Sequence, residues 1–167
     1  GGTGAGIDPF IRNKQVVFMG DSTFFHSGSA AISNSLKNGQ DITYVILDNK
    51  TTAMTGHQET PGTETNLLSD HTFSQNIEAI VAAMTQSSDT GATVVQVNPE
   101  DRESYRALLE KTILQDGVKI VLADKECGIT YHRRAASAER KREREDGFLA
   151  EKEFINITPE VCENCLE

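Results

Sequence analysis

The chain has 167 residues, a formal net charge of −9 and 37% apolar residues, enough apolar material for one domain with one hydrophobic core. The acidic balance argues against nucleic acid as a partner, and no run of about 18 apolar residues predicts a membrane span. The first ten residues lack a signal-peptide pattern, and an odd count of three cysteines predicts a reducing compartment, the cytoplasm, rather than a disulfide framework.

In chain order, the opening GGTGAG is predicted to be a loop, because it does not fit the dinucleotide-binding pattern and no strand precedes it. Nearly continuous apolar runs then predict strands that are covered on both faces. These runs occupy residues 15–19, 42–47, 93–97 and 118–123.

Helices are predicted between the strands, because apolar residues recur there at helical spacing. The last of these helices is expected to begin after Asn98, with Pro99 in its first turn. A polar stretch of about 25 residues, 48–72, is expected to be a functional loop. This order predicts an α/β fold, a parallel sheet with helices on both faces. The apolar residues at helical spacing lie within residues 27–38, 77–84 and 105–113.

Polar residues follow the first two predicted strands. Gly20, Asp21 and Ser22 come directly after the first, and Asp48 and Asn49 directly after the second. If the two strands are neighbours, these ends meet where open parallel sheets bind ligands. Carboxylate and amide oxygens suit Mg²⁺ better than zinc, and the free N–H groups of a following helix favour a diphosphate. The residues alone therefore predict a divalent-metal and diphosphate site.

The string GDSTFFHSG…VILDNKTTAMTGHQ, within residues 15–60, resembles the thiamine diphosphate domain of indolepyruvate:ferredoxin oxidoreductases, in the 2-oxoacid:ferredoxin oxidoreductase family. The tail FINITPEVCENCLE resembles the join to a ferredoxin-like segment in the same enzymes. The resemblance implies a thiamine diphosphate-binding fold over 1–130, a charged helix or linker over 131–150, and the beginning of an iron–sulfur segment over 151–167. The chain would then be a piece of a longer subunit.

The resemblance also implies roles for individual residues. Asp21 and Asn49 would bind Mg²⁺ by their side chains and Thr51 by its backbone carbonyl. His26 and His57 are candidates for proton handling, with loop-holding hydrogen bonds as the alternative. Met54 stands where the pyruvate enzymes of this family have an Asn. Its lower polarity agrees with a bulky aromatic 2-oxoacid as substrate. The residues implied to contact the cofactor are Gly20, Asp21, Ser22, Thr23, Phe24, His26, Asn49, Thr51, Thr52, Ala53 and Met54.

The function implied by the resemblance is oxidative decarboxylation of an aryl 2-oxoacid, with the acyl group passed to coenzyme A and electrons passed to ferredoxin. The implied cofactors are thiamine diphosphate, Mg²⁺ and a [4Fe–4S] cluster, for which Cys162 and Cys165 are candidate ligands. The resemblance implies that the glutamate that activates the aminopyrimidine comes from a separate pyrimidine-binding domain, and no residue of this chain is assigned to that role. A pyrimidine-binding domain or a second subunit would therefore complete the active site.

Other interpretations remain open. A non-redox thiamine diphosphate decarboxylase or synthase, or a binding module without catalysis, would share the same cofactor residues. Cys162 and Cys165 alone are also compatible with zinc, and Cys127 with a buried structural thiol or a place near a cluster. A GDS-type esterase with Ser22 as nucleophile is disfavoured, because no Asp lies three residues before any of the later histidines.

Overall fold

The computed structural model describes residues 1–86 and 91–148. Within them, four parallel strands form one sheet in the order β1-β2-β4-β3. All four predicted strands are confirmed, with bounds that differ by one residue at most. The strands are β1 (Gln15–Gly20), β2 (Ile42–Asp48), β3 (Thr93–Val97) and β4 (Lys119–Asp124).

The helices fall between and after the strands, and the predicted alternation of strands and helices is confirmed. Short 3₁₀ turns occur at Asp8–Phe10 and Ala53–Thr55, and a π-helical turn occurs at Phe24–Gly28. The α-helices are α1 (Gly2–Ile7), α2 (Asp21–Thr23), α3 (Ser29–Asn38), α4 (Ile77–Gln86), α5 (Arg102–Ile113) and α6 (Gly128–Asp146).

Helices cover both faces of the sheet, as predicted. On one face, Tyr44 and Ile120 share a buried cluster with Ile32 of α3 and Val81 of α4. Helix α5 packs on β2 and β4 but contributes no residue to that cluster, so it lies on the opposite face. Right-handed crossovers require this arrangement, because the chain moves from β1 towards β3 in one direction and returns to β4 in the other.

The opening segment is a helix, and the prediction of a loop there was wrong. A β-carbon at Gly4 would lie 3.1 Å from the Ile42 Cδ1 atom and 3.2 Å from the Val17 Cγ2 atom. Glycine therefore lets α1 lie close against the sheet. The Gln40 side chain also donates to the Ala5 carbonyl at 2.6 Å. These tertiary contacts outweigh the poor helix propensity of glycine. A local sequence pattern reports the propensity but not the contacts.

Two predicted helix starts were also wrong. The helix after β1 begins at Asp21 rather than at residue 27, because α2, the π turn and α3 follow one another without a break. Helix α5 begins after Asp101, whose side chain accepts from the Ser104 N–H at 3.2 Å. Asn98, the predicted cap, instead accepts from the Glu100 N–H at 3.0 Å, in a turn that precedes the helix.

The polar loop predicted after β2 is irregular, but it is held together by its own hydrogen bonds. Antiparallel bridges join Thr52 to Gln58 and Thr65 to His71. The Gln75 N–H also donates to the Pro61 carbonyl at 2.7 Å. These bonds give the loop a defined shape before α4 begins.

The chain divides into two compact units, Gly1–Cys127 and Gly128–Glu167. The described part of the second unit contains α6, which has no buried residue and is charged along its length. The predicted charged stretch is therefore helical, and Cys162 and Cys165 lie outside the described residues. None of the helices in residues 1–86 and 91–148 has the length and apolar character needed to cross a membrane.

An ion network stabilises the amino-terminal edge of the sheet. The Lys119 side chain is fully buried, and its ammonium donates to the Asp41 carboxylate at 2.5 Å and to the Gln115 carbonyl at 2.9 Å. Lys14 donates to the other Asp41 oxygen at 2.6 Å. Burial opposes the charge of Asp41, but hydrogen bonds from Lys119 and Lys14 outweigh it and hold the Asp41 pKa below its ordinary value.

Asp41→Asn is expected to lower the free energy of unfolding at pH 7 by about 1–2 kcal/mol, because buried Lys119 loses its carboxylate while solvent screens part of the effect. A depressed folded pKa means that this stabilisation is present above the unfolded pKa, ordinarily 3.8, and is lost as the pH falls through the folded pKa. Urea unfolding at several pH values should show the stabilities of the two chains converging as the pH falls through the folded pKa of Asp41.

The matched control for this experiment is Asp116→Asn. The Asp116 side chain is 98% exposed, although it accepts from Lys14 at 2.7 Å. Its loss should leave the unfolding free energy nearly unchanged, because exposed ion pairs contribute little. Equal destabilisation by the two substitutions would contradict a special role for the Asp41–Lys119 pair.

Candidate functional site

Three aspartates lie side by side at the carboxyl-terminal edge of the sheet. Gly20 of β1 pairs with Leu47 of β2, so the next residues, Asp21 and Asp48, are level with each other. Asp48 in turn pairs with Asp124 of β4. The sheet register therefore places one acidic residue at the carboxyl-terminal end of each of three neighbouring strands.

The Asp21 carboxylate is buried and only partly satisfied. The residue is 3% exposed, and its Oδ1 atom accepts from the Ser22 N–H at 2.8 Å. Its Oδ2 atom is buried without a hydrogen-bond partner among the described residues. Burial raises the pKa of Asp21 above its ordinary value, the Ser22 N–H opposes this, and the Asp48 charge raises it further. A cation at Oδ2 would satisfy this oxygen.

The turn after β2 meets this carboxylate. The Thr51 N–H donates to the Asn49 Oδ1 atom at 3.1 Å, and the same N–H acts on Asp21, where it lowers the pKa. The Thr51 N–H is therefore bonded to the Asn49 side chain and close enough to the Asp21 carboxylate to affect it. Thr51 itself is buried, at 7% exposure. The structure thus brings together the three residues predicted to bind Mg²⁺.

The donor set at this edge suits a hard cation. A carboxylate, a side-chain amide and a backbone carbonyl are oxygen ligands of the kind that Mg²⁺ prefers, and Mg²⁺ commonly takes its remaining ligands from phosphate and water. In residues 1–86 and 91–148, no three His, Cys, Asp or Glu side chains are placed to hold a metal ion. The predicted site requires one carboxylate, so its chemistry fits Mg²⁺ together with a diphosphate.

The helical segment that begins at Asp21 directs its first turn toward the same edge. The cap residue Gly20 is extended, with φ −78° and ψ 166°, and helical backbone begins with the next residue. The N–H groups of a first helical turn carry partial positive charge and favour phosphate. Ser22 is half-buried and Thr23 exposed, so this turn presents both backbone and hydroxyl groups.

The π turn that follows separates its two phenylalanines. The Phe24 side chain is 1% exposed and packs in the core, so the structure does not present its ring at the surface as a predicted cofactor contact would require. Phe25 packs edge-on against Phe24, with ring centroids 5.4 Å apart, and lies against Gly62 of the loop. His26, on the same turn, is exposed.

The remaining predicted residues lie on the turn after Thr51. Thr52 and Ala53 are half-buried, and Met54 is fully exposed. The His57 N–H donates to the Thr52 carbonyl at 3.0 Å and closes the turn. His57 has φ +64°, a left-handed conformation that is uncommon for residues other than glycine.

Lys50, Asp48 and Asp124 form a cluster that sequence reasoning missed. The Lys50 ammonium pairs with the Asp48 carboxylate and, at 3.1 Å, with the Asp124 carboxylate. The signal available in the sequence was an aspartate directly after the second and fourth apolar runs. Only the pairing of β2 with β4 shows that these aspartates are neighbours.

Comparison with known proteins agrees with this geometry. Residues 1–123 match the family model described as thiamine pyrophosphate enzyme, C-terminal TPP binding domain. Indolepyruvate oxidoreductase subunit IorA of Archaeoglobus fulgidus is 35% identical over 133 residues, which cover 79% of this chain and 20% of that protein. IorA of Methanothermobacter marburgensis is 30% identical over 167 residues, 99% of this chain and 24% of that protein.

The chain thus spans a fifth to a quarter of the length of these relatives. Among solved structures, the fold is similar to 2-oxoglutarate:ferredoxin oxidoreductase from Magnetococcus marinus, with a TM-score of 0.58 and 17% identity, over 75% of this chain and 44% of that one. That protein was solved with 2-oxoglutarate, coenzyme A and succinyl-CoA bound. The chain belongs to the thiamine pyrophosphate enzymes, as a member of the C-terminal TPP-binding domain family.

Proposed function

We propose that the chain is the thiamine diphosphate- and Mg²⁺-binding part of an indolepyruvate-type 2-oxoacid:ferredoxin oxidoreductase. The reaction is oxidative decarboxylation of an aryl 2-oxoacid to the acyl-CoA, with electrons passed to ferredoxin. The observation that carries the proposal is the buried Asp21 carboxylate with an unpaired oxygen, beside the Asn49–Thr51 turn, in a TPP-binding domain. The names of the IorA relatives support the substrate class.

In this proposal, Asp21 and Asn49 bind Mg²⁺ through their side chains and Thr51 binds it through its carbonyl. Burial of the ionised carboxylate is unfavourable without a counter-charge, so the cation stabilises the form of Asp21 that binds it. Thiamine diphosphate, when bound, supplies the electron sink that decarboxylation of a 2-oxoacid requires. Backbone and hydroxyl groups of residues 20–23 hold its diphosphate at the beginning of the helix.

The turn after Thr51 faces the reacting part of the cofactor in this proposal. Thr52 and Ala53 line it, and the fully exposed Met54 offers an apolar contact to an aryl group. His26 and His57 are the imidazole side chains of this region, and they handle protons in this proposal. The hydrogen bond from the His57 N–H to the Thr52 carbonyl fixes the backbone of residue 57 in the loop.

A partner completes the active site in this proposal, because the IorA relatives are named as subunits of an oxidoreductase. A pyrimidine-binding domain or a second subunit supplies it, and coenzyme A, ferredoxin and the 2-oxoacid bind to the assembled enzyme. Cys162 and Cys165 contribute to a [4Fe–4S] cluster, and the compartment is the cytoplasm. Four large apolar side chains of the loop support a covering partner, because they are 79–100% exposed. They are Met54, Leu67, Leu68 and Phe73.

Asp21→Ala is expected to weaken Mg²⁺-dependent binding of thiamine diphosphate more than about 100-fold, because the metal loses its charged ligand. Asn49→Ala should weaken it about 10–100-fold, because a neutral ligand is lost. Titration calorimetry with thiamine diphosphate, with and without Mg²⁺, measures both effects. The control is Asp70→Ala, on an exposed turn of the loop, which should bind as the unsubstituted chain does. Unchanged affinity in Asp21→Ala would contradict the site.

Asp21→Asn is expected to raise the melting temperature of the ligand-free chain by about 2–4 °C, because it removes a charge that burial and Asp48 disfavour. With saturating Mg²⁺ and thiamine diphosphate, the unsubstituted chain should instead have the higher melting temperature, since only it gains binding free energy. Thermal unfolding followed by circular dichroism measures both states. A ligand-free variant that melts several degrees lower would show that the carboxylate stabilises the fold instead.

The assembled enzyme is expected to reduce a viologen dye anaerobically, in a reaction that requires both an aryl pyruvate and coenzyme A. Dye reduction reports the electron transfer that a non-redox decarboxylase or synthase lacks. Release of the aldehyde without dye reduction would contradict the oxidoreductase assignment in favour of that alternative. Binding of thiamine diphosphate without turnover would contradict it in favour of a binding module.

A further inference from the structure

Lys50 has an unfavourable backbone conformation between two of the residues assigned to the metal. Its φ is +62°, in the left-handed region, which is unfavourable for a residue with a β-carbon. Asn49 precedes it and Thr51 follows it. The chain bends at this left-handed residue, directly after β2. The Asn49 side chain and the Thr51 N–H then meet at 3.1 Å.

The side chain of Lys50 is held from two strands. Its ammonium binds the carboxylate of Asp48, at the end of β2, and that of Asp124, at the end of β4, the latter at 3.1 Å. Its backbone N–H also donates to the Asp48 Oδ1 atom at 3.3 Å. Asp124 in turn accepts from the Gln96 side chain of β3 at 3.3 Å. Lys50, Asp48 and Asp124 are called the Lys50 cluster below.

The backbone around the Lys50 cluster is tied to the segment after β4. The Lys125 N–H donates to the Asp48 carbonyl, and the Cys127 N–H donates to the Asn49 carbonyl, both at 3.1 Å. These two bonds fix the chain on the amino-terminal side of Lys50. The ion pairs of Lys50 hold the residue itself, so the turn is restrained at consecutive positions.

The charge of Lys50 also matters to Asp21. Asp21, Asp48 and Asp124 are level across three strand ends. The charge of Asp48 repels the Asp21 carboxylate, and a cation beside Asp48 offsets that repulsion. The Lys50 side chain is 45% exposed, whereas that of Asp48 is 12% exposed.

We propose that Lys50 is a positioning residue for the metal of the cofactor. Its ion pairs with Asp48 and Asp124 hold the left-handed turn that directs Asn49 and Thr51 to the metal, and they leave Asp21 as the carboxylate available to it. This inference rests on the proposed function, because it assigns Lys50 a role at the same Mg²⁺ and thiamine diphosphate site.

Substitutions at Lys50 separate its charge from its backbone conformation. Lys50→Ala removes the ion pairs and keeps the β-carbon, so affinity for thiamine diphosphate with Mg²⁺ should fall at least about 10-fold. Lys50→Gly removes the ion pairs but permits the left-handed turn, so its loss should be smaller. Lys50→Arg retains the charge, and its affinity should stay within about threefold of that of the unsubstituted chain.

Asp124→Asn tests the same ion pairs from a different strand. It removes one ion-pair partner of Lys50 and should also weaken binding of thiamine diphosphate with Mg²⁺.

A second readout does not depend on the cofactor. Hydrogen exchange of the Thr51 amide in the ligand-free full chain should be at least about 10-fold faster in Lys50→Ala, because the turn that protects this N–H relaxes. Lys50→Arg should restore slow exchange. The matched control is Lys125→Ala, which removes a neighbouring lysine paired with Glu100 and leaves the backbone N–H of residue 125 in place. It should change neither exchange nor affinity.

The outcomes separate this inference from the proposed function. If the unsubstituted chain fails to bind thiamine diphosphate with Mg²⁺, the proposed function fails and the inference fails with it. If that chain binds, but Lys50→Ala and Asp124→Asn bind as tightly and Thr51 exchanges at an unchanged rate, only the role of Lys50 is overturned. Loss of affinity with faster exchange, both restored by Lys50→Arg, supports it.

Discussion

The carboxylate of Asp21 is the group on which the geometry of the site depends. It is a buried acid with one oxygen unpaired, a state that folded proteins avoid unless a cation or a hydrogen-bond donor compensates. The surrounding residues hold this carboxylate in place without supplying a hydrogen bond to its second oxygen. Pairing of β1 with β2 sets the position of Asp21 at the edge of the sheet. The Ser22 N–H donates to one carboxylate oxygen, and the turn through Thr51 lies beside the carboxylate. The fold therefore keeps an unfavourable group in a fixed place, which is typical of a binding site.

Much of this arrangement could be predicted from the sequence. Strands covered on both faces have nearly continuous apolar sequences, and the chain contains four such runs. Asp21 and Asn49 could be paired because the first residues after two neighbouring parallel strands share an edge of the sheet. The motif around them then indicated the cofactor. These inferences succeeded because they rest on local patterns and on one rule of topology.

The rest depends on contacts between distant residues. Helix α1 forms because Gly4 lies close against Val17 and Ile42, although glycine alone disfavours a helix. The Lys50 cluster exists because β4 inserts beside β2, which no local pattern reveals. The Phe24 ring turned inward because the π turn sets the direction of each side chain on it. Sequence spacing identified the residues of this turn without showing which of them face the core.

The π turn at Phe24–Gly28 determines which direction the side chains of α3 face relative to those of α2, in the continuous helical segment 21–38. One additional residue in a turn rotates everything after it by about 100°, since an α-helix has 3.6 residues per turn. Asp21 can thus face the edge of the sheet while Ile32 and Leu36 face the core. Deletion of a single residue from this turn would restore an uninterrupted α-helix, in which the carboxylate and the apolar stripe could not both keep their directions. Length variation among relatives should consequently be rarer at this turn than in the loop after β2.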